Sequence, residues 1–570
     1  MCGIWCRIGS SCDPQDPTPW VKQLEARGPE GTRIIYVNEK VTMGFTRLAI
    51  NGLTDAGMQP YTKGKLTWIC NGEIYNSKEI EKSLGLENMG SDCECIGDLY
   101  MRHRDNLIAF ARALDGVFAI ALYDAELNRL IVTRDPFGIR PLFIGFRPNM
   151  MTSIAQINNS PVPVYSTEFN TVVFASELKA LVPYFETVTN FAPGTIQAYN
   201  LSTMGQMFDL RYHSVGWMTH PCYRPSEEAG FVDASNAIRF ALEESVRKRL
   251  LTERPIACLL SGGLDSSLIA ALLQNNLRNL GLPPLKTFSI GFEGSSDLAH
   301  ARLVADWIGS DHHEIKMTPD EFFDAIPTVI KAIESFDTTT VRASTGNFLI
   351  AKKIRELTDC KVVFNGDGSD ELFGGYLYFN NAPNDEAFQA ECERLLNDIH
   401  NFDVLRSDRS ISANGLEART PFLDKQFVSV VRSIHPSFLR PVKGKQVEKY
   451  ILRSAFDDGV TLPPEVLWRR KEAFSDGVST PEKAWFEEIQ DRVKAVVPQD
   501  WKVKATLSYS NHILPRTAEE YYYRFLFTTT YGLSAIKVAV PYRWMPQWCP
   551  ETNDPSARTL QIYSADSAEA

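Results

Sequence analysis

The chain has 570 residues, 44% of them hydrophobic and 23% charged, with a formal net charge of −11. That is a globular balance with length for about four units of roughly 150 residues, and two large domains fit equally well. The acidic balance argues against a surface built for nucleic acid or an anionic membrane, no apolar run approaches the roughly 18 residues of a membrane span, and the start lacks the basic-then-apolar pattern of a signal peptide.

The chain opens "MCGIWC", with a thiol directly behind Met1. Chain ends usually fray and carry nothing of consequence. Removal of the methionine would bring a thiol and an α-amine together on Cys2. The 11 cysteines are an odd count without zinc-ribbon spacing. They read as free thiols in a reducing, cytoplasmic compartment, with Cys93 and Cys95 an incidental pair rather than a metal site.

Short β-branched and aromatic runs bounded by turn residues follow: "TRIIYV", "KLTWIC" and a hairpin, "GVFAIALYDAELNRLIVTRD". The stretch around "HPCYRPSEE" is irregular and reads as a linker over 210–230. Strands then alternate with helices: "RPIACLL", "SLIAALLQ", "KTFSIGF", a helix with Leu303, Val304, Trp307 and Ile308 on one face, "DHHEIKM", "DEFFDAIPTVIKAIES" and "CKVVF". That alternation predicts a mostly parallel sheet covered on both faces. The tail after Pro550 is small and polar and reads as loosely ordered.

The sharpest local signal is "IACLLSGGLDSSLIAALL": a strand, a loop of Ser261, Gly262, Gly263, Asp265, Ser266 and Ser267, then a helix. Glycines, backbone N–H groups, hydroxyls and a helix N-terminus suit phosphate, and Asp265 suits its magnesium. A Gly-Ser turn with Asp265 as a helix cap is the plainer alternative. The loop lacks a Walker lysine, which argues against an ordinary kinase or ATPase. A second acidic loop, "VVFNGDGSDELFGGY", carries Asp367, Asp370 and Glu371 after another strand, where open parallel sheets bind ligands. Asp265 and Asp370 are candidates to share one Mg2+; a solvated acidic turn is the alternative.

The ordered set "MCGIWC", "RGPEG", "RLAI", "CNGEIYN", "GSDCE", "RDPFGIRPL", "SGGLDSS", "GDGSDE", "KEAFSDG" and "DPSARTL" resembles glutamine-hydrolysing asparagine synthetases over nearly the whole chain. The resemblance implies two domains. Residues 1–209 would be a class II glutamine amidotransferase, an α+β sandwich of the N-terminal-nucleophile (Ntn) hydrolase type. Residues 231–570 would be an α/β parallel-sheet synthetase domain of the adenine-nucleotide α-hydrolase or ATP-pyrophosphatase type.

It also implies chemistry. Cys2 would attack the glutamine side-chain amide, with its own α-amine exchanging protons near neutral pH. Asn71 and Gly72 would form the oxyanion hole. Arg47 would hold the substrate α-carboxylate, and Glu73, Asp92 and the Ile50 carbonyl the α-ammonium. Taken singly, Asn71–Gly72 is a hairpin turn, Arg47 a surface cation and Cys2 an incidental thiol. Leu259 and Ile290 would bracket adenosine, with Asn365 and Gly366 also on ATP. Thr339, Thr340, Arg342 and Lys471 would serve phosphate or the activated intermediate. Glu417, Arg419 and Asp424 look like part of an aspartate pocket, although Arg419 and Lys449 read equally as exposed charges.

The implied reaction is ATP-dependent conversion of L-aspartate to L-asparagine through β-aspartyl-AMP. Ammonia would come from L-glutamine along a dry internal passage. The expected partners are small molecules, without nucleic acid or membrane, and a homodimer is left open. A synthetase for another carboxylate and a non-catalytic paralogue are the rival readings. Ala26, Asn51, Asn365 and Asp367 depart from the family pattern. Asp367 stands where a glutamate is usual, near the attacking ammonia.

Overall fold

Strands of the first 211 residues alternate side chains between two buried environments, and that alternation builds a sandwich. The computed structural model describes all residues except 10–15, 88, 149–152, 158–159, 165–168, 183, 186, 217, 219, 226–229, 481, 551 and 562–570. Cys12, part of the expected linker and the end of the tail thus lie outside the described residues.

The strands are β1 (Gly3–Gly9), β2 (Thr32–Tyr36), β3 (Val41–Thr46), β4 (Tyr61–Lys63), β5 (Leu66–Ile74), β6 (Gly116–Asp124), β7 (Arg129–Arg134), β8 (Phe143–Pro148), β9 (Ser153–Ile157), β10 (Ser160–Val164), β11 (Phe169–Ala175), β12 (Thr187–Asn190), β13 (Thr195–Asn200) and β14 (Gly205–Arg211). They form two antiparallel six-stranded sheets, β12-β8-β11-β1-β3-β2 and β14-β13-β7-β6-β5-β4, and a small β9–β10 hairpin. Ile4, Cys6 and Ile8 of β1 meet Ile69, Ala119 and Ala121 of the other sheet in one core. The alternate residues Trp68, Cys70, Phe118 and Ile120 face Ile80, Leu99 and Phe110 of three short helices. A sheet buried on both faces explains why "GVFAIALYD" is apolar almost throughout. On the first sheet, Trp20 and Val21 of the helix Thr18–Lys22 pack against Trp5 and Gly44. The result is a helix–sheet–sheet–helix layered sandwich.

The second sheet system is β15 (Ile256–Leu259), β16 (Lys286–Gly291), β17 (Asp311–Lys316), β18 (Val362–Phe364) and β19 (Glu417–Arg419), in the order β17-β16-β15-β18-β19 and parallel throughout. Helices Leu264–Asn279, Ser296–Ile308 and Thr338–Leu357 connect its strands. The crossover Ser296–Ile308 is the expected helix, and its apolar stripe is only partly covered. Val304 and Ile308 are buried, but Leu303 and Trp307 are 40% and 46% exposed, so the four do not share a buried face.

The chain separates into two compact units, Met1–Ser214 with Tyr531–Val538, and Val215–Thr530 with Ala539–Ala570. After β14 the irregular segment is tied within the second unit: Cys222 N–H donates to Ser433 O at 2.8 Å and His435 N–H to Tyr223 O at 3.0 Å. The long helix Gly230–Lys248 follows. Ten cysteines are free thiols, and no helix among the described residues is long and apolar enough to cross a membrane.

Candidate active sites

In the first unit, Cys2 stands at the head of β1, half-buried, with Sγ 3.5 Å from both Leu48 O and Leu48 N. Arg27 Nε donates to Cys2 O at 2.9 Å, and Arg27 is itself paired with Glu177 at 3.1 Å in full burial. Gly3 must be glycine: a Cβ there would lie 2.5 Å from Thr46 Oγ1 and 2.7 Å from Leu24 Cβ. The backbone next to Cys2 is thus wedged between Leu24 and Thr46 at the end of β3.

β5 packs against β1 and holds Asn71 and Gly72 in mid-strand, opposite Ala119 and Phe118. The hairpin reading of Asn71–Gly72 is therefore corrected. Gly72 is required because a Cβ would come within 2.0 Å of Val117 O. The Asn71 side chain is fully buried, and neither Nδ2 nor Oδ1 has a hydrogen-bond partner. An unsatisfied buried amide costs roughly 1–3 kcal/mol, which points to a ligand as its partner.

Arg47 is buried, not a surface cation, and its Nη2 donates to Gly52 O. Ile50 is buried beside it in the chain. Glu73 Oε2 accepts from Asn51 Nδ2 at 2.5 Å, so the departure at Asn51 is engaged with an expected substrate residue. Asp92 Oδ2 accepts from Ile74 N–H at 2.7 Å.

In the second unit, the phosphate-loop sequence forms the expected strand–loop–helix. Ser261 and Ser266 hydroxyls lie 3.0 Å apart, and Gly263 N–H donates to Ser261 Oγ at 3.3 Å. Gly262 has φ +72°, and a Cβ there would meet His300 at 2.4 Å. Leu259, Ser261, Gly263, Asp265, Ser266, Ile290, Asn365, Gly366, Asp367, Asp370 and Lys471 all line one cleft of ≈ 190 Å³. Gly262 and Ser267 do not: the first turns the loop against His300, and the second is buried behind it.

The two acidic loops meet. A Cβ on Gly366 would touch Asp265 Cβ and Ser266 N at 2.8 Å, so this glycine permits the approach. Lys449 Nζ lies 2.6 Å from Asp265 Oδ2 and 2.6 Å from Asp370 Oδ1, while Lys471 Nζ lies 2.6 Å from Asp370 Oδ2 and 3.8 Å from Asp265 Oδ2. Burial opposes ionisation of Asp370, but Lys449 and Lys471 outweigh it and hold the carboxyl well below its usual range. The same carboxylates raise Lys471 against the effect of burial.

Lys449 is 1% exposed and has φ +57°, and a Cβ on Gly375 would lie 2.1 Å from its Cε. A non-glycine residue in the left-handed region at a buried charged centre is strain of the kind held at functional sites. The exposed-charge reading of Lys449 is corrected. So is that of Arg419, 1% exposed, which pairs with Glu417 and donates to Leu251 O at 2.9 Å. Asp424 pairs with Lys248 and Arg249 and caps the helix Lys425–Arg432. Glu417, Arg419 and Asp424 do not line this cleft; they are held in these ion pairs at the sheet edge.

Arg342 is a further correction. Thr339, Thr340, Ala343 and Asn347 face the cleft, but Arg342 does not. It makes paired bonds of 2.8 and 2.7 Å to Glu519 and two of 2.8 Å to Asp554.

Asp367 is gripped from two sides: Asn365 Nδ2 donates to Oδ2 at 2.8 Å and Arg406 Nη2 to Oδ1 at 2.9 Å. Burial raises its carboxyl despite Arg406. Beside it, Glu371 is driven well up by burial and by Asp403, and accepts from Tyr376 O–H at 2.5 Å. Asp403, Arg406, Tyr376 and Trp544 complete this wall; sequence reasoning missed all four. Asp403 and Arg406 stand three apart on a helix and pair at 3.0 Å, the pattern of an ordinary solvated face.

Asp265 and Asp370 suit a Mg2+ brought in by phosphates, since that ion commonly takes one or two carboxylates and completes its shell from phosphate and water. Among the described residues no group of three or more His, Cys, Asp or Glu is arranged to hold a metal unaided.

The family model "Glutamine amidotransferase domain" matches residues 1–232, and "Asparagine synthase" matches 237–387 and 380–531. Full-length relatives named "Asparagine synthetase [glutamine-hydrolyzing]" from Gallus gallus, Mus musculus and Homo sapiens are each 39% identical, with 99% of this chain and 99% of each relative covered. Both halves and their junction are thereby accounted for, and the chain belongs to the glutamine-hydrolysing asparagine synthetase family.

Proposed function

We propose that this chain makes L-asparagine from L-aspartate, ATP and the amide nitrogen of L-glutamine, releasing AMP, pyrophosphate and glutamate, with the residues above in the following roles. The meeting of Asp265 and Asp370 under Lys449 and Lys471, beside the Leu259–Ile290 wall, carries the reading.

Once Met1 is removed, Cys2 Sγ attacks the glutamine Cδ and its proton passes to the α-amine. Charge develops on the amide oxygen, and the unpartnered Asn71 Nδ2 with the Gly72 N–H supports it. The Cys2 α-ammonium returns that proton to the nitrogen as the C–N bond breaks, ammonia leaves, and water hydrolyses the thioester to glutamate. Arg47 receives the substrate α-carboxylate; Glu73, Asp92 and the Ile50 carbonyl receive its α-ammonium.

In the second unit, adenosine lies against Leu259 and Ile290 and phosphates against the Ser261–Ser266 loop. Asp265 and Asp370 would hold a Mg2+ that arrives with the nucleotide, and the ion would supply neutralisation of phosphate charge. The aspartate β-carboxylate attacks the α-phosphorus and pyrophosphate leaves, with Lys449 and Lys471 stabilising its charge. Ammonia attacks the β-carbonyl of the aspartyl-AMP, Asp367 takes a proton, and AMP departs. The wall of Arg406 and Asp403 offers charges to an amino-acid acceptor, and Glu371 a carboxyl beside them. The free thiols fit a cytoplasmic setting.

The test is incubation with ATP, Mg2+, ammonium and a panel of carboxylic amino acids. AMP and pyrophosphate should form with aspartate. ADP and inorganic phosphate, or a preference for another carboxylate, would overturn the assignment.

A further inference from the structure

Lys471 reaches the charged centre from residues 468–473, a stretch with no helix or strand of its own, between the helices Pro464–Leu467 and Phe474–Gly477. Its neighbour Glu472 is the fixed point. Glu472 Oε2 accepts from Ser296 Oγ at 2.8 Å and from Arg469 Nη2 at 3.1 Å, and Oε1 accepts from Arg558 Nη2 at 2.9 Å.

Arg558 comes from the far end of the chain, in "DPSARTL". Its Nη2 also donates to Asp476 O at 3.0 Å and its Nη1 to Thr480 O at 3.2 Å, so one guanidinium spans the loop on both sides of Phe474–Gly477. Ser556 Oγ donates to the Asp476 carboxylate at 3.0 Å. Asp554 anchors the start of the segment through Arg342 and through Gln490 Nε2 at 3.1 Å, and Leu560, 2% exposed, anchors its end. Neither Arg558, Ser556 nor Asp554 lines the cleft.

We propose that Arg558, acting through Glu472, is a positioning residue for Lys471, and that the segment Asp554–Leu560 straps the Lys471 loop onto the cleft. This rests on the reading of Lys471 as a pyrophosphate-stabilising residue. A lysine side chain is long and flexible, and a loop without a ladder of backbone bonds does not hold its root. A fork of planar donors tying one side chain and two carbonyls does. It also gives Arg342 a place: it holds the strap rather than the substrate.

The test uses the full-length enzyme with ammonium as nitrogen source. In Arg558→Ala, kcat for pyrophosphate release should fall roughly 10- to 100-fold, the cost of a misplacement of about 1 Å, with KM for ATP little changed. Glutamine hydrolysis should persist. Trypsin should cut at Arg469, Arg470 or Lys471 faster than it does in the wild type. Arg558→Lys should restore part of the rate. Should Arg558→Ala not fold, Glu472→Gln weakens the same bond and should show the same kcat loss. An unchanged kcat in Arg558→Ala, or equal losses of kcat, glutamine hydrolysis and thermal midpoint, would overturn the strap. Full pyrophosphate release in Lys471→Ala would instead overturn the reading of Lys471 itself.

Discussion

The side-chain amide of Asn365 donates to Oδ2 of Asp367 at 2.8 Å. The same Nδ2 lies 2.6 Å from Ser407 Oγ, so Asn365 fixes Asp367 against the helix Asp403–Ser412. The two departures from the family pattern in this loop thus form a pair. A carboxylate one methylene short sits back by about 1.5 Å, and its partner sets where it then points.

Asp367→Asn should cut ammonia-dependent asparagine formation by roughly 100-fold, the lower range for loss of a general base. Asn365→Ala should cost less, about 10-fold, because Arg406 still grips Oδ1. Asp367→Glu should bring at most a modest gain, since the longer arm must leave both grips. Asparagine and pyrophosphate release measure all three. Wild-type activity in Asp367→Asn would reduce the position to a turn residue.

Cys2→Ala should abolish glutamine hydrolysis and leave asparagine synthesis from ammonium. Asn71→Ala should lower glutaminase kcat by roughly 100-fold or more with KM for glutamine nearly constant, as expected when only a transition-state donor is lost. A matched rise in KM would place Asn71 in ground-state binding instead.

Much of this was legible in the residues alone. The strand–loop–helix around Ser261, the acidic loop after β18 and the parallel sheet follow from local patterns. What escaped depends on partners far away in sequence. Asn71–Gly72 carries a strong hairpin signal, yet strand pairing with Ala119 and Phe118 overrides it. The family resemblance alone suggests Arg342 for phosphate or the intermediate and Arg419 and Asp424 for the aspartate pocket, with an exposed charge as the alternative for Arg419. The partners of Arg342 are Glu519 and Asp554 and those of Asp424 are Lys248 and Arg249, far outside any local window; only Glu417, two residues from Arg419, lies within one. Lys449 sits in a lysine-rich stretch that reads as surface, and only the approach of Asp265 and Asp370 explains its burial.

Asp265→Asn and Asp370→Asn should each reduce pyrophosphate release by roughly 100- to 1000-fold and raise the Mg2+ concentration for half-maximal rate. Glutamine hydrolysis should remain. Asp370→Asn should also lower the thermal midpoint, because it withdraws a carboxylate from the buried Lys449 and the half-buried Lys471. An unchanged Mg2+ requirement in both variants would remove the metal from this pair.

Asp424 is a stability residue with a pH signature. Burial alone would raise its carboxyl, but Arg249 and Lys248 outweigh that and hold it at about 2, below an unfolded value of 3.8. A depressed carboxylate contributes its stability above the unfolded value and loses it as pH falls through the folded one. The window is therefore pH 4 down to about 2, and the contribution is about 2 kcal/mol. Asp424→Asn also removes a carboxylate from the buried Arg249, a change that costs about 3–5 kcal/mol for a broken buried pair. The thermal midpoint should thus be lower than wild type at neutral pH, and its further fall below pH 4 shallower. Because Asp424 lies off the cleft, pyrophosphate release per folded molecule should be retained. Loss of that activity with an unchanged midpoint would return Asp424 to the substrate site.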